Sequence, residues 1–194
     1  MVNPVVDVYT DGSCLKNPGP GGIAYLIKYQ EEDKDRVEDK EVAYALSYRY
    51  TTNNRMEVIA AISAIKYIID KVENDESWKE IHQVHIYSDS EYLCNATNKN
   101  WLKSWQERNW MTKGYGDTQP KEVKNKDLWK EYLEVAAILR ALSITIIFTW
   151  VKGHNDNPDN ERVDNMARDI AANGDEFEID TVYENLIQQK RNLY

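Results

Sequence analysis

Val5-Val6-Asp7-Val8-Tyr9-Thr10-Asp11-Gly12-Ser13-Cys14-Leu15-Lys16-Asn17-Pro18-Gly19-Pro20-Gly21-Gly22 is an apolar, β-branched strand that runs into a Gly/Pro turn. Such a strand belongs in the interior of a sheet. It nevertheless carries a carboxylate, Asp11, where the turn begins. A lone ionised carboxylate is costly to bury unless a metal or another partner compensates it. Aspartate also caps turns readily. Both readings stay open until the other acids of the chain are placed.

Outward from this strand, Gly22 to Tyr29 reads as a second strand, Gln30 to Glu41 as a long solvated hairpin loop, and Val42 to Tyr50 as a returning third strand. From Asn54 the period becomes helical, and Val58, Ala61, Ile62, Ile65, Ile68, Ile69 and Val72 form one apolar stripe. His82 to Ser88 is a short strand, expected to lie parallel to the first after the helical crossover. Glu91 to Lys126 is polar and tryptophan-rich. Asp127 to Leu142 is a second amphipathic helix, Ile144 to Val151 a final buried strand, and Asn160 to Ala172 a final helix. This order predicts an α/β fold with a five-stranded mixed sheet, three antiparallel strands followed by two parallel ones, flanked by helices on both faces.

With 194 residues and 42% hydrophobic content, the chain suits one well-buried domain. No apolar run approaches the ~20 residues of a membrane helix, and no basic-then-apolar leader opens the chain. Its two cysteines, Cys14 and Cys94, lack CxxC spacing, which argues against a disulfide framework or zinc site and for a reduced, cytoplasmic setting. The net charge of −9 argues against a nucleic-acid partner, but its location matters more than its total. Glu31 to Glu41 holds −4 and the segment from Asp175 onward −3, leaving the body close to neutral.

Three further acids stand in odd places. Glu57 lies beside the apolar stripe of the first helix, Asp89 directly follows the strand Val84-His85-Ile86-Tyr87, and Asp164 lies in the first turns of the last helix. Each has a structural reading: a capping box from Asn54 to Glu57, helix N-capping by Asp89, a helix-dipole acid at Asp164. Together they put carboxylates at the ends of elements that converge on the first strand. Converging carboxylates repel unless cations sit among them, and oxygen-only ligands suit hard ions such as Mg²⁺ or Mn²⁺. Two such ions about 3.5–4 Å apart stabilise both the attacking and the leaving oxygen in phosphodiester cleavage. No Ser, Cys or His triad is then required.

The motifs Thr10-Asp11-Gly12-Ser13-Cys14 with Asn17-Pro18-Gly19-Pro20-Gly21-Gly22, Thr52-Asn53-Asn54-Arg55-Met56-Glu57, Ser88-Asp89-Ser90, Trp150-Val151-Lys152-Gly153-His154 and Asn160-Glu161-Arg162-Val163-Asp164 stand in this order. In these motifs, over roughly Val5 to Ala172, the chain resembles type 1 ribonuclease H in its bacterial form. The resemblance implies a ribonuclease H-like fold and hydrolysis of the RNA strand of RNA/DNA hybrids, leaving 3′-hydroxyl and 5′-phosphate ends. It implies Asp11, Glu57, Asp89 and Asp164 as ligands of two Mg²⁺ ions, with Mn²⁺ as a substitute and Asp11 bridging both. His154, in a turn-rich loop, would help the product leave or shuttle a proton. Substrate contacts are implied at Gly12, Ser13, Cys14, Asn17, Asn53, Asn54, Ser90 and Glu91, and at Thr52 and Asn125, which match a pocket for a DNA phosphate. The bacterial pattern commonly has Gln where this chain has Glu91, and an extra acid near phosphates would weaken binding or raise the metal requirement.

Lys99 to Lys126 matches the family's basic handle and carries a net +4 in an acidic protein. Trp101 and Trp105 stand at i, i+4 spacing; they read as a small apolar core that shapes the handle, with sugar stacking as the alternative. The domain expectation is a catalytic unit over residues 1–174, including the handle at 99–126, and a C-terminal extension over 175–194. In that extension Val182, Tyr183, Leu186 and Ile187 suit one face of a short helix that folds back or meets a partner. The chain is expected to act as a monomer, to bind an RNA/DNA hybrid and no membrane. Two alternatives are another metal-dependent nuclease of the same fold and a catalytically silent hybrid-binding module.

Overall fold

A computed structural model describes residues 1–33, 36–114, 118–153 and 157–192. Its sheet has the order β5-β4-β1-β2-β3-β6. The strands are β1 (Val5–Cys14), β2 (Gly19–Asp33), β3 (Arg36–Thr51), β4 (Gln83–Ser88), β5 (Thr145–Trp150) and β6 (Phe177–Glu178). β1, β2 and β3 are antiparallel, β4 runs parallel to β1, and β5 parallel to β4. The opening stretch therefore sits at the centre of the sheet. The sixth strand corrects the expected five: residues Phe177 and Glu178 pair with Ser47 and Tyr48 and extend the β3 edge.

The charged stretch after Tyr29 is also not a loop. β2 and β3 continue as a paired ribbon, with Tyr29 opposite Lys40, Gln30 opposite Asp39 and Glu31 opposite Glu38. Gln30 Nε2 donates to Asp39 Oδ1 at 3.0 Å, and Lys40 ion-pairs with Glu38. Met1–Asn3 line the β2 edge of this ribbon, with Val2 opposite Glu31, and none of the described side chains from Gln30 to Lys40 is buried, so it needs no alternation of apolar and polar residues.

Helix α1 (Asn53–Asn74) buries the whole predicted stripe from Val58 to Val72 against Val6, Val8 and Ile27 of the sheet. Each such aliphatic side chain contributes ~1.5–3 kcal/mol on leaving water. Helices α2 (Glu91–Asn98) and α3 (Trp101–Glu107) are followed by α4 (Lys126–Ala141), which packs on α1. Helix α5 (Pro158–Asn173) packs on β1, β2 and β3, where Val163 and Ala167 meet Ala24 and Leu26. The last helix is α6 (Thr181–Arg191). β5 is less buried than expected: only Phe148 of its six residues is buried, because the strand is a sheet edge.

Two glycines set the distance between the layers at the site. A Cβ on Gly12 would lie 2.2 Å from the Glu57 backbone nitrogen, and one on Gly22 would lie 2.4 Å from the Ala167 carbonyl oxygen. Helix α1 thus rests directly on the end of β1, and α5 on the start of β2.

Candidate metal centre

Among the described residues, Asp11, Glu57 and Asp89 each offer a carboxylate oxygen within 4.8 Å of the others. Asp11 projects from the middle of the sheet, Glu57 comes from the second turn of α1 across Gly12, and Asp89 follows the last residue of β4. Asp11 and Glu57 are 5% and 6% exposed. Burial first, then Asp89 and Asp164, push the Asp11 carboxyl up to about 7, against the opposing pull of Arg168 and the Gly12 amide. Glu57 is raised well above the ordinary range by burial and by Asp11 and Asp89. Its Oε1 accepts from Asn53 Nδ2 at 3.3 Å, whereas its buried Oε2 has no hydrogen-bond partner among the described residues.

A buried carboxylate oxygen without a donor, beside two more carboxylates, fits a hard cation and little else. The donors that do reach these acids, Asn53, the Gly12 amide and Arg168, leave that oxygen unmet among the described residues. The residues present therefore fit a divalent metal.

Asp164 stands apart from this triad. It lies on α5, and its carboxylate accepts from Arg168 Nε at 2.8 Å and pairs also with Arg168 Nη2. The charge of Asp164 nevertheless reaches Asp11, and Arg168 feels both Asp11 and Asp89. Arg168 is the residue that sequence reading missed. Its signal was the i, i+4 spacing from Asp164 on one helix face.

The structural alternatives for Glu57 and Asp89 do not describe what is seen. Asn54 lies inside α1 rather than at its cap, so no capping box forms with Glu57. Ser90, not Asp89, caps α2, its Oγ accepting from the Leu93 amide at 3.3 Å.

The remaining sequence-picked residues divide into groups. Gly12, Ser13 and Cys14 end β1 beside the carboxylates, and Cys14 Sγ donates to the Thr51 carbonyl at 3.3 Å. Asn17 Oδ1 accepts from the Asn53 amide at 3.0 Å and so caps α1 from the neighbouring turn, replacing the cap that the Thr52 side chain does not make. Asn53 holds Glu57, and Asn54 is exposed. Glu91 is exposed in the first turn of α2, where a helix favours an acid. Asn125 precedes α4 in a left-handed conformation, φ 58°, with Nδ2 3.4 Å from Tyr92 Oη. Trp105 packs against the core with its ring 5.8 Å from and tilted by 52° to that of the fully buried Trp129, whereas Trp101 keeps 36% of its surface exposed. His154 lies outside the described residues.

Residues 3–172 match the family model described as RNase H. The ribonuclease H of Oleidesulfovibrio alaskensis is 40% identical over 169 residues, covering 87% of this chain and 92% of that one. The ribonuclease HI of Helicobacter pylori is 37% identical over 163 residues, covering 84% and 90%. Among solved structures, LC9-RNase H1, a type 1 RNase H with the type 2 active-site motif, superposes with a TM-score of 0.64 at 26% identity, covering 87% of this chain and 72% of that one. LC11-RNase H1, solved in complex with an RNA/DNA hybrid, shares the fold, with a TM-score of 0.55 at 21% identity over 84% of this chain and 94% of that one.

Proposed function

This chain belongs to the RNase H family, and from that premise we propose that it is an endonuclease cutting the RNA strand of RNA/DNA hybrids with two Mg²⁺ ions. The observation that carries this reading is the cluster of Asp11, Glu57 and Asp89 within 4.8 Å, with an unsatisfied Glu57 oxygen. Asp11, Glu57, Asp89 and Asp164 hold the ions, and Mn²⁺ can replace Mg²⁺. When bound, the ions supply Lewis-acid stabilisation of the entering and departing oxygens.

The protein's own part is placement. Gly12 lets the backbone of α1 close onto β1, which sets Glu57 against Asp11. Asn53 orients the Glu57 carboxylate, and Asn17 fixes the start of the helix that carries both. Trp150 Nε1 donates to the Asp89 carbonyl at 3.0 Å and holds that residue at the end of β4. Gly12, Ser13, Cys14, Asn17, Asn53, Asn54, Ser90 and Glu91 face the RNA strand, while Thr52 and Asn125 take a DNA phosphate. His154 assists departure of the product. The handle lysines bind the duplex electrostatically, with Trp105 as internal support and Trp101 at the surface. No helix among the described residues is long and apolar enough to cross a membrane; the chain works as a cytoplasmic monomer.

The test is cleavage of a labelled RNA/DNA hybrid beside duplex RNA, duplex DNA and single-stranded RNA, with Mg²⁺ and with chelator, for wild type and Asp11→Asn. Cutting confined to the RNA of the hybrid, metal-dependent and lost in the variant, is expected. Cutting of a different substrate would make the chain another nuclease of this fold, and binding without cutting would make it a silent module.

A further inference from the structure

The two halves of the sheet are closed by different means. At the β3 edge β6 adds a strand, and α6 folds back and is fixed by its N-cap Asp180, which accepts from the buried Arg55 Nε at 2.6 Å and Nη2 at 2.8 Å. Helix α5 packs on β1, β2 and β3. Beyond them, on the same face, β1, β4 and β5 meet through half-buried polar rings. Tyr9 stacks on Tyr87 with ring centroids 4.8 Å apart and planes inclined by 14°, and Tyr87 stacks on His85 at 4.2 Å. His85 Nε2 lies 2.6 Å from Thr149 Oγ1, and its Nδ1 lies 3.0 Å from Tyr87 Oη. Three strands are thus joined through one column of side chains, with both ring nitrogens of the histidine engaged.

The column stands where β1 and β4 part. Their parallel ladder runs from Val5 opposite Gln83 to Tyr9 opposite Tyr87 and ends there. From that point β1 continues beside β2 to Cys14, and β4 beside β5 to Ser88. Asp11 and Asp89 each lie two residues past this last pair, ~6.7 Å along an extended strand. Each acid is positioned on its own side: Asp11 is opposite Ala24 of β2, and the loop after β5 presses on Asp89, where a Cβ on Gly153 would lie 2.8 Å from Oδ2. The separation between the two acids is set across the β1–β4 junction, and the stacked tyrosines are its last paired residues.

We propose that the Tyr9–Tyr87 stack, anchored to β5 through His85 and Thr149, is a positioning element that fixes the separation of Asp11 and Asp89 and so fits the metal centre to a small divalent ion. Cross-strand aromatic pairs hold neighbouring strands at a fixed spacing. Mg²⁺ demands near-octahedral ligands at about 2.0–2.1 Å, whereas Ca²⁺ accepts looser sets at about 2.3–2.6 Å. A rigid junction therefore favours the smaller ion, and a loosened one gives up that preference. Tyr9 and Tyr87 touch neither ion nor substrate in this role; they act through the carboxylates that follow them. The inference rests on the reading of the three acids as a metal centre.

The test is calorimetric titration of the full chain, without nucleic acid, with Mg²⁺ and with Ca²⁺. In Tyr87→Ala, Mg²⁺ affinity should fall about tenfold, as on loss of a partner that orients a metal ligand, while Ca²⁺ affinity changes by less than about twofold. Tyr87→Phe keeps the ring and should restore the wild-type ratio of the two affinities. Tyr9→Leu breaks the stack from β1 with an apolar side chain that suits the contact with α5, and should shift the ratio as Tyr87→Ala does. Ile68→Val, in the core beneath α1, should lower the Tm and leave the ratio where it was. An unmoved ratio in either tyrosine variant that circular dichroism shows to be folded would overturn the inference, and so would failure of Tyr87→Phe to restore it. Binding of neither ion by wild type would instead overturn the metal centre itself, and the inference with it.

Discussion

Asp11 sits where burial and two neighbouring acids all oppose its charge, and its carboxyl titrates near 7 instead of the ordinary 3.8. The raised value has a definite consequence for the metal-free protein. Below pH ~4 the group is protonated folded or unfolded and contributes nothing. Between pH ~4 and ~7 the folded state keeps a proton that the unfolded chain has released, so stability falls as pH rises, by at most ~4 kcal/mol. Thermal unfolding in chelator should therefore show a lower Tm at pH 8 than at pH 5. Asp11→Asn should flatten that dependence and raise the Tm at pH 8, while abolishing cleavage. Added Mg²⁺ should stabilise wild type more at pH 8 than at pH 5. A flat wild-type profile would remove Asp11 as the strained group. The oddness of this acid was legible in the sequence, since an aspartate interrupting a β-branched strand violates the burial pattern. Its coupling to Arg168 was not, because the arginine lies on α5 and meets Asp11 only after folding.

At the scale of elements, close approach and ion pairing hold the site together. Gly12→Ala would place a methyl group 2.2 Å from the Glu57 nitrogen and 2.3 Å from the Met56 carbonyl carbon. Backbone cannot yield as a side chain can, so about 3 kcal/mol or more of stability should be lost, seen as a Tm drop of roughly 6–12 °C. Activity should fall further than stability explains, because Glu57 moves with its helix. Asp180→Ala should also cost about 3 kcal/mol, since it strips Arg55 of one buried partner and leaves the charge under-compensated. A double-mutant cycle between Arg55 and Asp180 should return a coupling well above the ~0.2–1 kcal/mol of exposed ion pairs. A coupling near zero would mean that α6 is held by other contacts. The helical periods of α1, α4 and α5 were readable because each buries one apolar stripe. The ribbon after Tyr29, β6 and the clamp on Asp180 were not. The ribbon hides in charge because both its faces meet water, β6 has only two residues, and the Arg55–Asp180 pair spans 125 positions of sequence.

On the scale of the whole molecule, an acidic protein is proposed to bind a polyanion, so the location of charge must outweigh its sum. The acids concentrate on the ribbon and the C-terminal segment, while Lys99, Lys103, Arg108, Lys121 and Lys124 stand exposed on the handle. Counterion release counts only the phosphates a protein neutralises, at ~0.9 per contact. Charges that never reach the duplex act through screened, longer-range fields, which fade beyond ~8–10 Å at physiological salt. Two pairs of substitutions with equal and opposite effects on net charge separate these contributions. Glu31→Gln with Glu32→Gln makes the protein less acidic, yet should leave the salt slope of hybrid binding unchanged and raise affinity less than twofold at 150 mM salt. Lys103→Gln with Lys121→Gln should flatten the slope by up to ~1.8 and weaken binding about tenfold at low salt. The measurement is a salt titration of hybrid binding for both pairs in the Asp11→Asn background. Equal and opposite shifts would show net charge to be the governing quantity, whereas a response confined to the lysine pair would locate the duplex along the handle, continuous with the carboxylates at the end of β1.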